Sequence, residues 1–295
     1  MTEPREQPLI IILADISGYT RFMLENQTAA VHGQQCITFL IETLLREVDI
    51  PLRLQEIEGD AVFLYAARSG DDADWREVLA QVRARLPRFF QAFIEGMSLA
   101  AEATPCACAV CRDSSTLKLK LIVHSGRAVF HEIGGRPLVS GADVILAHRL
   151  LKNSVPGSEY LLMTESAFRD LGRDMDGVFL PGEERCDEFG TVKIYVQHVG
   201  ERWDGARQAL LQLPEAELAS RARLYVAGGI YGEYRATLHQ LLRPTTKAGG
   251  LRRAGYGLWR FLTLPVEFLF YLAVMPRRLR ARRARRRSGV PAASR

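Results

Sequence analysis

Two carboxylates in this 295-residue chain stand where chemistry on phosphates could be done. Asp15 closes an apolar run, Leu9-Ile10-Ile11-Ile12-Leu13-Ala14, and leads into Ile16-Ser17-Gly18-Tyr19-Thr20. Asp60 lies in the stretch Glu58-Gly59-Asp60-Ala61-Val62-Phe63. Carboxylates at strand ends can clamp a divalent cation such as Mg2+ or Mn2+, which nucleotide phosphates need. The plainer alternative is that both residues cap turns. Sulfur offers a second chemistry. Cys106, Cys108 and Cys111 are three thiols within six residues and could reach one tetrahedral Zn2+. His131, His124, Cys36 or Cys186 could supply the fourth ligand. Uncoordinated thiols or a redox switch are the competing readings.

The elements that must position these groups follow from hydrophobic periodicity. Leu9–Ile16 reads as a buried strand, and Val31–Val48 as a helix with Ile37, Leu40, Ile41, Leu44 and Leu45 at helical spacing. Leu52–Ile57 and Ala61–Ala66 read as a hairpin about Glu58-Gly59-Asp60. Asp74–Met97 is a long helix. Leu117–Val123 alternates apolar residues with lysines, which places Lys118 and Lys120 outward. Ala128–Ile133 reads as its hairpin partner, and Ser140–Leu151 as a helix with Ser140 at its N-cap. Glu159–Met163 and Lys193–Val199 are further strands. The order β-α-β-β-α-β-β-α-β predicts an α/β sandwich, helices packed on an antiparallel-rich sheet.

Composition narrows the class. Hydrophobic residues make up 47% and charged residues 25%, as in ordinary globular proteins. The net charge of +5 is concentrated at one end: Pro276–Arg295 holds nine arginines and no acid, so the body is mildly acidic. Five cysteines, three of them crowded, argue against a secreted disulfide framework. With no signal-peptide pattern at the start, the expected setting is cytoplasmic.

The motifs resemble those of the class III nucleotidyl cyclase homology domain. Asp15-Ile16-Ser17-Gly18-Tyr19-Thr20 is similar to its opening motif, and Gly59-Asp60-Ala61 to its second metal motif. Ile122-Val123-His124-Ser125-Gly126 resembles its central strand. Gly141–Leu150 resembles its later helix, and Val192-Lys193-Ile194-Tyr195-Val196 its last strand. The likeness runs in order over residues 8–200. It implies an α+β sandwich, ferredoxin-like, with a β-α-β-β-α-β core. It also implies a homodimer with two divalent ions at Asp15 and Asp60, acting on a nucleoside triphosphate. Amides around Ser17, Gly18 and Tyr19 would then meet phosphate oxygens, Glu56 would read the base, and Arg149 would act on the partner's substrate. Three positions depart from the pattern: Ile145 replaces a ribose-binding Asn, Leu138 a polar base-contacting residue, and Asp187 falls near a phosphate-binding Lys. The triple-Cys insert with Glu-Gly-Asp-Ala and Ala-His-Arg-Leu-Leu-Lys-Asn resembles a divergent bacterial family of cyclase-like domains. His124 and His148 read as structural rather than catalytic.

Three zones result: a cyclase-like domain over 1–200, a helical C-terminal extension over 201–250, and an apolar or amphipathic segment with an Arg-rich tail over 251–295. Arg260, Thr263 and Glu267 fall on one helical stripe of Tyr256–Met275, which suits an interfacial helix better than a spanning one. The arginines up to 287 would then meet an anionic membrane surface, putting the protein on the inner face of the membrane. Nucleic-acid binding is disfavoured, because aromatic residues are absent after Tyr271 and no reading motif is present. Two functions are expected: a divergent cyclase-like protein that binds or processes a nucleoside triphosphate, or a catalytically degenerate signalling module with a Cys-cluster metal site.

Overall fold

The computed structural model describes residues 4–103, 109–199, 204–214 and 217. The chain divides into two compact units. The first comprises Met1–Tyr19, Ile41–Ile94 and Leu117–Gly205; the second takes in Thr20–Leu40, Glu95–Thr116 and the segment that begins at Ala206.

The first unit is built on an eight-stranded sheet in the order β2-β3-β1-β4-β6-β8-β7, with β5 paired to β4. The strands are β1 (Arg5–Ser17), β2 (Arg53–Glu58), β3 (Ala61–Ala67), β4 (Lys118–Ile133), β5 (Arg136–Ser140), β6 (Tyr160–Thr164), β7 (Leu180–Cys186) and β8 (Gly190–His198). β1 lies between β3 and β4, antiparallel to both. This central place explains its composition. Leu9 to Ala14 are all fully buried, so both faces of the strand must be apolar. On one face Leu9, Ile11 and Leu13 join a core with Ala147 and Leu150 of the helix region that begins at Ala142. Ile10, Ile12 and Ala14 are equally buried on the other.

The helices are α1 (Tyr19–Glu25), α2 (Ala30–Leu45), α3 (Asp72–Ser98), α4 (Ala109–Asp113), α5 (Ala142–Arg149), α6 (Glu165–Asp170) and α7 (Asp204–Gln212). In α2 the spaced residues Ile37, Leu40, Ile41 and Leu44 are buried, as their period requires.

Four expectations need correction. Leu117–Val123 and Ala128–Ile133 are not a hairpin but one long strand, β4, paired along its length with β1. Gly126 does not turn the chain. It lies within the strand because a Cβ there would run into the Asp143 carboxylate. The real turn is Gly134-Gly135, both with positive φ, which joins β4 to β5 as a two-residue hairpin loop. Ser140 ends β5, and Gly141 at φ 140° caps α5 instead, without a side-chain hydrogen bond. Lys120 does not point to solvent, as described below. β7 escaped notice altogether. It is an exposed sheet edge with little apolar pattern to announce it.

Of the expected helical extension only α7 and a few neighbouring residues are described; the rest of 201–250 and the segment 256–287 lie outside the described residues. Among the described residues no helix is long and apolar enough to cross a membrane.

Candidate metal and phosphate site

Strand register assembles the acid pair. Asp15, near the end of β1, lies opposite Ala61 of β3 on one side and opposite Lys120 of β4 on the other. Asp60 immediately precedes Ala61 in the β2–β3 turn, and its carbonyl accepts from Ile16 N at 3.3 Å. Gly59 makes that turn with φ 63°, a conformation that favours glycine. Burial, then the charge of Asp15, push the Asp60 carboxyl up to about 6. Its own backbone N–H and the Lys120 ammonium pull the other way. A carboxyl whose ionisation is opposed by burial and a neighbouring carboxylate favours a nearby cation.

Part of that demand is met from within the chain. Lys120 Nζ lies 3.0 Å from Asp15 Oδ2 and donates to the Leu151 carbonyl at 2.9 Å, just past the C-terminal end of α5. Both charged side chains are more than four-fifths buried, the lysine 18% and the aspartate 17% exposed. The alternation of β4 identified the face of Lys120 correctly as polar. Register decided that this face ends against Asp15, not water. Lys120 is therefore a site residue that sequence reasoning missed, because the Lys118/Lys120 alternation does not say which strand lies beside it. The donor set could hold a divalent cation: Asp15 offers Oδ1, and the Asp60 carboxylate keeps lone pairs beyond the one that meets its own backbone N–H. With Asp15 Oδ2 engaged by an ammonium, the set suits one ion better than two.

A cleft of about 590 Å³ lies in the same unit. It is lined by Ile145, His148, Arg149 and Lys152 from the α5 region, by Glu58 of the β2–β3 turn, and by Arg185, Asp187 and Glu188 near the β7–β8 turn. The fold thus brings together Ile145, Arg149 and Asp187, three positions singled out from sequence. It adds Lys152 and Arg185, two cations that sequence reasoning did not assign. Arg149 donates to Glu188 at 2.8 Å, but both side chains are more than half exposed. Such a pair contributes about 0–1 kcal/mol, so the guanidinium is readily diverted to an anion. Ile145 is 53% exposed and offers the cleft no hydrogen bond. Glu56 sits exposed on β2 beside a register irregularity. Ser17 ends β1, Gly18 turns with φ 92°, and Tyr19 begins α1. Asp15, Asp60, Glu56, Leu138 and Ser17–Tyr19 do not line the cleft.

His124 and His148 are both engaged within the fold. His124 is buried, with Nδ1 2.9 Å from Thr164 Oγ1 and Nε2 3.2 Å from Asp143 Oδ1. The imidazole holds the Asp143 carboxyl below the usual carboxylate range against the effect of burial, helped by the Arg127 N–H at 2.6 Å. His148 packs edge-on against Phe63 with ring centroids 5.3 Å apart. Asn153 is spent locally, donating to the Leu150 carbonyl and accepting from Val155 N and Tyr160 OH.

The second unit holds a different cluster. His32 and Cys36 of α2 and Cys111 of α4 are all buried, and one potential ligand atom from each lies within 4.8 Å of the others. These three residues could hold a metal ion. Cys36 was among the expected partners of Cys111; His32 was not. Cys106 and Cys108 lie outside the described residues.

A family model described as a protein of unknown function, DUF2652, matches residues 37–160. An uncharacterised protein of Mycobacterium tuberculosis, Rv2561/Rv2562, is 33% identical over 144 residues, which is 49% of this chain and 65% of that protein. The chain therefore spans just under two thirds of that relative. A bacterial light-regulated adenylyl cyclase superposes with a TM-score of 0.50 at 14% identity, covering 76% of this chain and 59% of that one. The guanylyl cyclase Cya2 gives 0.48 at 14% identity, covering 65% and 92%. The adenylyl cyclase CyaB of Pseudomonas aeruginosa gives 0.46 at 13%, covering 66% and 95%. At such identities the likeness to the light-regulated enzyme is one of fold.

Proposed function

We propose that this chain is a divergent class III cyclase-like domain that binds a nucleoside triphosphate through a divalent cation at Asp15 and Asp60. The observation that carries this reading is the meeting of two carboxylates at one end of the sheet, with Asp60 pushed up by burial and by Asp15. When bound, Mg2+ or Mn2+ neutralises triphosphate charge and polarises the phosphorus–oxygen bonds. Lys120 pairs with Asp15 and, anchored on the Leu151 carbonyl, fixes its orientation. Arg149, Lys152 and Arg185 give the cleft three cations, partly offset by Asp187 and Glu188, that in a dimer would face the phosphate oxygens of the partner's nucleotide. Ile145 leaves the ribose without a side-chain partner on α5, so binding is better supported than cyclisation. A second copy of the chain would bring Arg149 to its partner's nucleotide, as the cyclase resemblance implies.

The test is a titration of ATP and GTP, with and without Mn2+, against wild type, Asp15→Ala and Asp60→Ala. Mn2+-dependent binding of at least one nucleotide is expected, weakened tenfold or more in both variants. If wild type binds neither, or Asp60→Ala binds like wild type, the reading fails. Cyclic nucleotide and pyrophosphate are assayed in the same samples, and cyclic product would show that Ile145 is no bar to ribose chemistry.

Lys120 favours a second reading, a signalling module without turnover, because its ammonium already stands where a second cation's charge would act. Under either reading the Arg-rich tail is proposed to seat the domain on anionic membrane. Sedimentation with anionic vesicles, with and without residues 277–295, tests this.

A further inference from the structure

His32 and Cys36 are four residues apart on α2, so their side chains share one face of the helix. Cys111 meets them from α4, with its Sγ 3.2 Å from His32 Nε2. The three residues are 1%, 1% and 0% exposed, and their ligand atoms lie within 4.8 Å of one another. In a tetrahedral zinc site, bonds of about 2.0–2.3 Å place nitrogen and sulfur about 3.5 Å apart and two sulfurs about 3.8 Å apart. The cluster is thus already near the dimensions that one ion would impose. Its surroundings fix it from both sides. Buried Asn26, just ahead of α2, donates to the Phe22 carbonyl at 2.9 Å and to Asp113 of α4 at 3.4 Å. Ser114 Oγ donates to the Cys111 carbonyl at 2.8 Å and holds the end of α4.

We propose that His32 Nε2, Cys36 Sγ and Cys111 Sγ are three protein ligands of a Zn2+ site that clips α2 to α4. Imidazole and thiolate are soft to borderline donors and select zinc over Mg2+ or Mn2+. The charges balance. Each thiol releases its proton to solvent as its sulfur–zinc bond forms, the imidazole gives a neutral lone pair, and two thiolates cancel the 2+ charge. Such neutrality is what a buried ion requires. Because the clip joins segments 75 or more positions apart in sequence, it removes much of the freedom the metal-free chain would have there. The site does not depend on the nucleotide reading and shares no residue with it.

The test uses the full chain. Protein purified without chelator is expected to carry zinc, measured by plasma mass spectrometry. Chelator-stripped protein titrated with Co2+ is expected to develop thiolate-to-cobalt charge-transfer absorption with tetrahedral d–d bands. Cys36→Ser and Cys111→Ser should each lose most of that absorption and the bound zinc, whereas Cys186→Ser should keep both. His32→Cys, which replaces one ligand with another, should keep the metal and strengthen the charge-transfer band; this result does not require a variant that lacks a ligand to fold. The proposal is overturned if stripped wild type shows no thiolate band with Co2+. It is also overturned if Cys36→Ser and Cys111→Ser keep the band at full strength.

Discussion

Asp15 and Asp60 become neighbours across a sheet, whereas His32 and Cys36 share one helical turn and meet Cys111 from a second helix. The first arrangement depends on strand register: moving β3 by one residue against β1 would turn its side chains to the other face and lift Asp60 away from Asp15. The second depends on the helical repeat and on the placement of a five-residue helix. Their chemistry differs in the same measure. The acid pair is partly open, offers hard oxygen, and already holds one internal cation in Lys120. The His–Cys cluster is fully buried, offers nitrogen and sulfur, and could stay neutral around Zn2+ only by releasing two thiol protons to solvent. If each holds an ion as proposed, the first is suited to exchange it and meet a ligand, the second to keep it.

The largest expected effect tests that contrast directly. With zinc at about a thousandfold over its dissociation constant, the clip would stabilise the fold by about 4 kcal/mol. Thermal melts of wild type and Cys111→Ser, each with and without zinc, should show this gain in wild type only. Mn2+ should leave the difference between the two proteins unchanged. A Cys111→Ser protein that zinc stabilises as strongly as wild type would erase the distinction between the two sites.

Next in size is the loss of Asp15. Asp15→Ala takes the carboxylate away from the Lys120 ammonium, 18% exposed in the wild type, and leaves it the Leu151 carbonyl as acceptor. A half-compensated, mostly buried charge costs about 2 kcal/mol, below the value for a fully buried pair. Urea unfolding should report that loss in Asp15→Ala and a much smaller one in the double variant Asp15→Ala with Lys120→Met. Equal losses in the two would mean that the pair is not coupled.

These tests turn on residues that the sequence reveals unevenly. The run Leu9–Ala14 was readable because a strand buried on both faces must be apolar throughout. The hairpin around Asp60 was readable because Gly59 supplies the turn. Gly126 misled, since a glycine that makes room for the Asp143 carboxylate looks in sequence like a glycine that turns the chain. Lys120 misled because alternation gives the face of a strand but not what covers it. The edge strand β7 carries Glu183, Glu184 and Arg185, which advertise a loop. His32 was missed because its partner Cys111 lies 79 residues away. Only the His-x-x-x-Cys spacing on a helix hints at the pair.

Lys120→Met sharpens the comparison from the other direction. Removing the internal cation should raise the affinity of the acid pair for Mn2+ about tenfold, or about 1.4 kcal/mol, because like charges so close repel the incoming ion. Zinc retention by the His–Cys cluster should not change. Calorimetric titration of Mn2+ into both proteins measures this. An unchanged Mn2+ affinity would mean that Lys120 orients Asp15 without competing for it.

The smallest effect concerns pH, and it separates the sites by slope. Asp60 has its carboxyl raised to about 6 in the fold, against about 3.9 for an unfolded aspartate. Between those values the folded chain holds a proton that the unfolded chain has lost, so stability falls as pH rises from about 4 to about 6 and then levels off. Asp60 is only partly buried, so after solvent screening the change is on the order of 1 kcal/mol. Asp60→Asn should remove this slope, making the variant more stable than wild type at pH 7 and no more stable near pH 4. Mn2+ must displace that one proton, so its affinity should fall about tenfold for each pH unit below about 6. Zinc at Cys36 and Cys111 must displace two, so its affinity should fall by up to about a hundredfold per unit wherever both thiols begin protonated. Measured slopes of one and two would assign each ion to its site by proton stoichiometry alone. A slope of one for zinc would remove one of the two cysteines from the ligand set.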